Sequence, residues 1–247
     1  MVNIEATPVD PLQETACTEE QLAQSLPDTS CSLPASFSVF VDLSRPDAER
    51  QILNQQAISP RVKGVRQILN VHHDPLYDYV GYHYLRDAQW QRNLGLLEKH
   101  GLLFEMQLYP HQMLEAAKLA QRYPDLVMVI NHGGMYVDRA GPEGWRQWRK
   151  GLGALARQPN VVIKLSGYAM LDHEWTSNSI RPLVYEALDT FGVERCMFAS
   201  NFPVDSLYAS YARVWEAYDH LVQDASTTER ASLFVENARR IYHLTQA

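Results

Sequence analysis

Several polar residues in this sequence stand at the ends of short apolar runs, where a side chain is held by a core yet reaches a ligand. His132 follows the run LVMVIN and precedes Gly133 and Gly134. An imidazole there can act as a base, a ligand-orienting donor or a metal ligand, and the glycines let a ligand approach closely. Arg66, in VKGVRQIL, places a guanidinium fork among Val, Ile and Leu. Such a fork suits a carboxylate or a carbonyl acquiring negative charge, the alternative being an internal salt bridge to Glu5 or Asp42. Lys164 and Ser166, in VVIKLSG, share parity along one run and so face one side. Lys164 then reads either as a carbonyl-polarising donor (or a base, if desolvated) or as a strand-end lysine reaching solvent. Asp205 is the acid of CMFASNFPVD after its apolar run: a base toward water, or a helix cap for the segment starting near Ser206. These four, His132, Arg66, Lys164 and Asp205, are the candidate catalytic residues, and Glu5, Gln107, Ser166 and Asn201 the candidate substrate-binding ones.

The elements that must position them alternate. Strand-like runs cover Val2 to Glu5, Phe37 to Leu43, Val62 to Leu69, Leu102 to Leu108, Leu126 to Asn131, Val161 to Leu165 and Cys196 to Ala199. Helical spacing marks Asp47 to Ser59, Asp87 to His100, His111 to Tyr123, Gly144 to Gln158, Arg181 to Phe191 and Ser210 to Val222. A further short helix is expected over Thr18 to Leu26, and one or two over Thr227 to Tyr242 with Thr227 or Thr228 as N-cap. Gly101 and Gly192 fall where helix ends need a left-handed residue, and Pro124 and Pro159 stop helices just before strands. Seven βα units in sequence predict an α/β fold, a TIM-like (β/α) barrel, with the reactive groups at the C-terminal ends of the strands. An open doubly wound sheet has the same alternation, but no GxGxxG or GxxxxGK[ST] loop accompanies it.

The 247 residues fit a single barrel domain over 1–247, and the net charge of −7 with no dense Lys/Arg run argues against nucleic acid as a partner. No run approaches the roughly 18 apolar residues of a membrane span, and the N-terminus lacks a basic segment followed by an apolar one, so no membrane association is expected. Cys17, Cys31 and Cys196 form no CxxC pair and read as ordinary thiols of a reducing compartment, so a cytoplasmic location is expected. No HxH, HExxH or Cys/His cluster occurs, and no metal ligand set is assigned. His72 and His73 are placed at a pocket mouth, while His83, His100, His111, His220 and His243 read as structural. Loop aromatics such as Tyr77 to Tyr84, Tyr136 and Trp175 are the expected source of specificity, or else pack loop on barrel.

Taken in order, VNIEA, VKGVRQILN, VMVINHGG, QPNVVIKLSG, FGVERCMFASNFPVD and LFVENARRIYHL resemble the successive blocks of the amidohydrolase-related family, almost from end to end. The resemblance implies a TIM-like barrel that hydrolyses a small cyclic ester or related carbonyl compound, as sugar-lactone and pyrone-dicarboxylate lactonases do. His132 matches the histidine after the family's sixth strand. Asn201 stands where many members carry a catalytic or metal-binding aspartate, and Gln107 where metal-dependent members place another histidine. The family's opening strand with its HxH motif has no counterpart, which implies a barrel missing or shortened in its first strand-helix unit. Either the chain is a shortened form of a longer product, or a barrel completed by another segment or a partner works without the motif. An uncovered sheet edge would favour a homodimer. The expectation is therefore a lactonase-like hydrolase of a small-molecule substrate with no cofactor, the alternative being a weakly held divalent metal such as zinc. A catalytically silent binding protein and a metal-dependent decarboxylase are the competing functions.

Overall fold

The computed structural model describes residues 1–24 and 35–244. Cys31 and the end of the helix expected over Thr18 to Leu26 lie outside the described residues. The chain divides into two compact units: Met1–Met106 with Asp125–Val127 and Arg239–Ala247, and Gln107–Pro124 with Met128–Ala238.

In the first unit, strands β1 (Val2–Ile4), β2 (Ser36–Phe40) and β3 (Val62–Ile68) pair in parallel, with Asn3 opposite Phe37 and Phe40 opposite Arg66. Helices α1 (Pro11–Gln24), α2 (Ala48–Ile58) and α3 (Ala88–Lys99) connect them and lead to β4 (Leu103–Gln107), whose last residue belongs to the second unit. Val39, Val65, Phe104, Ile52, Trp90 and Leu97 are fully or almost fully buried. Each such side chain contributes roughly 1.5–3 kcal/mol relative to exposure. Trp90 and Phe104 meet edge to face with centroids 5.6 Å apart, which adds orientation to that burial.

The second unit repeats the arrangement. β5 (Met128–Ile130), β6 (Val161–Leu165) and β7 (Cys196–Phe198) pair in parallel, with Val129 opposite Val162 and Lys164 opposite Met197. All of their residues are buried, the composition expected of strands covered on both faces. Helices α4 (Met113–Arg122), α5 (Pro142–Ala156), α6 (Ser177–Phe191) and α7 (Tyr211–Leu221) follow, then α8 (Thr227–Ala231), a π turn (Ser232–Glu236) and α9 (Asn237–Ile241), whose residues from Arg239 on belong to the first unit. On α4 the stripe Met113, Ala116, Ala117 and Ala120 is buried, the i, i+3, i+4 spacing of a helix packed on one face. Met113 also requires Gly151 on α5, since a Cβ there would lie 2.5 Å from its sulfur.

All seven strand positions read from the sequence are found, and the differences lie at the ends. The second run stops at Phe40 instead of Leu43, because Asp42 folds the chain back by accepting from both the N–H and the hydroxyl of Ser44. The first helix begins at Pro11, not Thr18, because Asp10 accepts from Leu12 and Gln13 N–H and proline suits the first helical position. The helix expected from Arg181 begins at Ser177, where Thr176 and Ser179 form a reciprocal cap. The expected cap at Thr227 or Thr228 is instead Ser226, paired with Glu229. Gly101 (φ 66°) and Gly192 (φ 75°) are left-handed as expected.

Asp87 caps α3 with one carboxylate oxygen, accepting from Gln89 N–H at 2.6 Å and Trp90 N–H at 2.9 Å. Replacing it by alanine leaves both donors without this acceptor. Asp87→Ala is expected to cost about 1 kcal/mol of stability, read as a lowered urea midpoint with unchanged slope; an unchanged midpoint would show that water caps the helix as well.

Candidate active site

Three consecutive strand ends of the second unit carry polar residues that the backbone holds in unusual conformations. After β5 the chain makes a 3-10 turn, His132–Gly134, in which His132 has φ 53° and Gly133 φ 59°, followed by Met135 at φ 40°. A left-handed conformation is rare for a non-glycine residue, and such positions concentrate at functional sites. After β6 come Ser166 and Gly167 (φ 65°), then the 3-10 turn Tyr168–Met170. After β7, Asn201 adopts φ 56° and the turn Val204–Leu207 follows.

The first two loops interlock. His132 Nδ1 lies 3.2 Å from Ser166 Oγ, a hydrogen bond that holds the orientation of the ring. The imidazole rests on the backbone of Gly167, where a Cβ would come within 2.4 Å of Nδ1. From below, Trp148 Nε1 donates to the carbonyl of Gly133 at 2.9 Å and fixes the turn that presents the histidine. The Tyr168 ring packs against Gly133, and its buried hydroxyl has no hydrogen-bond partner among the described residues.

The third loop supplies a carboxyl. Asp205 is 2% exposed, and its Oδ1 accepts from Asn201 Nδ2 at 2.8 Å. Burial pushes its pKa up to about 6, with the Asn201 amide pulling the other way. Tyr218 ties the loops together: burial, then the proximity of Tyr168 and Asp205, raise its phenol well above the usual range, and its hydroxyl donates to Ala199 O at 3.3 Å. Asp205 is thus not the helix cap that its position allowed; its side chain is engaged by Asn201 and its backbone by Tyr208 and Ala209.

Lys164 (7% exposed) and Gln107 (2% exposed) are buried strand residues of this unit, and Lys164 shares the face of Ser166 by parity. The structure therefore brings His132 to Ser166 and Asn201 to Asp205 by direct contact. Glu5 and Arg66 belong to the first unit. There, Glu5 accepts from Thr15 Oγ1 at 2.8 Å and Phe40 N–H at 2.7 Å, and burial raises its pKa. Arg66 donates to the Glu5 carbonyl at 2.9 Å instead of to the carboxylate. Burial lowers its pKa while Glu105 opposes the shift. Glu105, missed in the sequence, is fully buried and accepts from Ser38 and Tyr242 hydroxyls at 2.9 and 2.8 Å. Its even spacing with Gln107 on one strand was the signal available.

His72 accepts from Asp74 N–H through Nδ1, and His100 pairs with Glu49, so both have local partners. Burial pushes the Cys196 thiol up to about 12, which leaves it un-ionised. Among the described residues no three His, Cys, Asp or Glu side chains are grouped to hold a metal ion. The strand tips of the second unit bring together the His132 imidazole with Ser166 and the Asp205 carboxyl with the Asn201 amide.

Two measurements test this geometry. Gly167→Ala places a Cβ on the His132 ring and in a left-handed conformation that costs an alanine roughly 1–2 kcal/mol; both the stability and the His132 imidazole resonances are expected to change, and unchanged ring shifts would refute the packing. Asp205 has a folded pKa raised from 3.8 to about 6. It therefore favours folding below pH 4, and this contribution is lost as pH rises through about 6. Asp205→Asn removes that dependence, so the variant should gain relative to the native chain between pH 4 and 7, on the order of 3 kcal/mol. A constant difference across that range in urea titrations would contradict the raised value.

The Amidohydrolase family model matches residues 2–244. An uncharacterized protein of Sinorhizobium fredii, y4mH, is 39% identical over 212 residues, covering 85% of this chain and 70% of that protein. L-fucono-1,5-lactonase of Burkholderia multivorans is 28% identical over 175 residues, 66% of this chain and 58% of the lactonase, so the matched part is less than two thirds of that relative. A crystal structure of a Burkholderia multivorans amidohydrolase with bound zinc superposes with TM-score 0.83 at 24% identity, covering 99% of this chain and 83% of the other. A dihydroxybenzoic acid decarboxylase from Polaromonas sp. JS666, with bound manganese, gives TM-score 0.62 at 14% identity over 96% and 76% of the chains. The fold is thus the α/β TIM-like barrel of these structures, and the chain belongs to the amidohydrolase family.

Proposed function

We propose that the chain hydrolyses a small lactone, with the chemistry carried by His132, Ser166, Lys164, Asn201 and Asp205 of the second unit. The observation that carries this reading is Asp205, a buried carboxyl near pKa 6 bound by one amide. A carboxyl with that value exchanges a proton near neutral pH, as a general base must. The resemblance to L-fucono-1,5-lactonase at 28% identity supports the substrate class.

In the forward direction Asp205, ionised, takes a proton from water as the water oxygen bonds to the lactone carbonyl carbon. Lys164 polarises the carbonyl oxygen, which becomes the oxyanion. Collapse breaks the ring C–O bond, and His132, oriented by Ser166, protonates the departing alkoxide. The carboxylic acid product loses its proton to solvent, and His132 and Asp205 return to their starting states by proton exchange. One water is consumed and one hydroxy acid formed. No step passes through a metal.

The decarboxylase reading has a structural neighbour but requires a metal-holding set that the described residues do not group.

Hydrolysis of sugar and aryl lactones by the purified protein decides between turnover and a silent barrel. His132→Ala is expected to lower kcat/KM about 10²-fold or more, and Asp205→Asn by about 10²–10⁴-fold. In the native protein activity should rise with pH through an inflection near 6, as Asp205 ionises, and that inflection should be absent from the residual rate of Asp205→Asn. A folded sample inactive on every lactone would overturn the proposal.

A further inference from the structure

The loops that follow β6 and β7 border a second feature of the second unit, a half-open cavity of about 350 Å³ lined by His173, Glu174, Trp175, Leu207, Tyr208 and Arg213. Its size falls at the lower end of small-molecule sites. His173 and Tyr208 stack face to face, with centroids 4.3 Å apart and planes 9° from parallel, and make one flat wall. Arg213 lies over the Trp175 ring at 5.1 Å and donates through Nη2 to the Trp175 carbonyl at 3.3 Å. Cation–π contact and hydrogen bond together hold the guanidinium in place while its other N–H groups keep no partner among the described residues. Trp175 is 4% exposed, yet its indole N–H is buried without an acceptor. The indole ring rather than its N–H faces Arg213, whose guanidinium lies over it.

We infer that this cavity binds a small carboxylate with a flat apolar body. The pinned Arg213 fork supplies the donors for the two carboxylate oxygens, and the Trp175 ring beneath it reports their arrival. The His173–Tyr208 wall and the exposed Leu207 (77%) face the ring of the ligand. A neutral amide of the same shape lacks the charge that Arg213 recognises. Glu174 is the one acid of the lining, so it opposes the anion and sets the sign of a second test. The inference uses none of the side chains assigned to lactone hydrolysis.

The experiment is titration of the full chain with benzoate, followed by ¹⁵N indole resonances, the Trp175 signal being identified by its absence in Trp175→Phe. Saturable movement of that signal is expected, with benzamide binding at least about 10-fold more weakly. Arg213→Gln should weaken benzoate binding about 10- to 100-fold, and Glu174→Gln should tighten it about two- to fivefold. His132→Ala should bind benzoate as the native chain does, so loss of hydrolysis and loss of this site are separate results. A Trp175 signal that does not move, equal binding of benzamide, or an Arg213→Gln variant of native affinity would each overturn the inference. Tm measured alongside distinguishes an Arg213→Gln chain that fails to fold from one that fails to bind.

Discussion

The contact on which the candidate site depends is that between the imidazole of His132 and a residue with no side chain, Gly167. Two consecutive strand tips approach so closely that the ring of one occupies the space a Cβ of the other would fill. His132 must leave the ordinary backbone region to reach that place, with φ 53°. A residue in a left-handed conformation persists only when its surroundings over-determine it. Here the determinants are Trp148 on the Gly133 carbonyl, Tyr168 on the Gly133 backbone and Ser166 on the ring nitrogen. Rotamer freedom is removed from the histidine before any ligand arrives, which lowers the entropy still to be lost at binding.

Around that contact, electrostatics follow from burial. Strands buried along most of their length have few places to put a charge, so a carboxyl within them needs donors or shifts its pKa. In the first unit Glu5 and Glu105 receive hydroxyl and N–H donors. In the second, Asp205 has a single amide and retains a pKa near 6. On the proposed reading, the single amide leaves Asp205 able to transfer a proton, whereas Glu5 and Glu105 each receive two donors.

The fold was legible because its signals are local: seven β-rich runs, helical spacing between them, and glycine and proline at the boundaries, all within a few residues of one another. Caps were less so. Asp10 and Ser226 lie outside the periodic segments they start, and a reading anchored on apolar spacing passes over them. For the candidate site, strand-end position named His132, Ser166, Asn201 and Asp205, which the structure joins as two contacting pairs. It did not distinguish Glu5, whose carboxylate is engaged by Thr15, a residue on a helix ten positions later. The alliance of Glu105 with Tyr242 spans 137 positions and leaves no trace at that distance in a single sequence.

That long-range pair bears on how the chain assembles. The second unit is built from residues that have all been synthesised by Ala238, whereas the first unit, begun at Met1, includes Arg239 onward. The phenol of Tyr242 reaches the wholly buried Glu105 only after everything between them has been made. Until Tyr242 is present, Glu105 lacks one of its hydroxyl donors and keeps that of Ser38. Among the described residues, the first unit thus gains a buried hydroxyl from a segment 137 positions beyond Glu105.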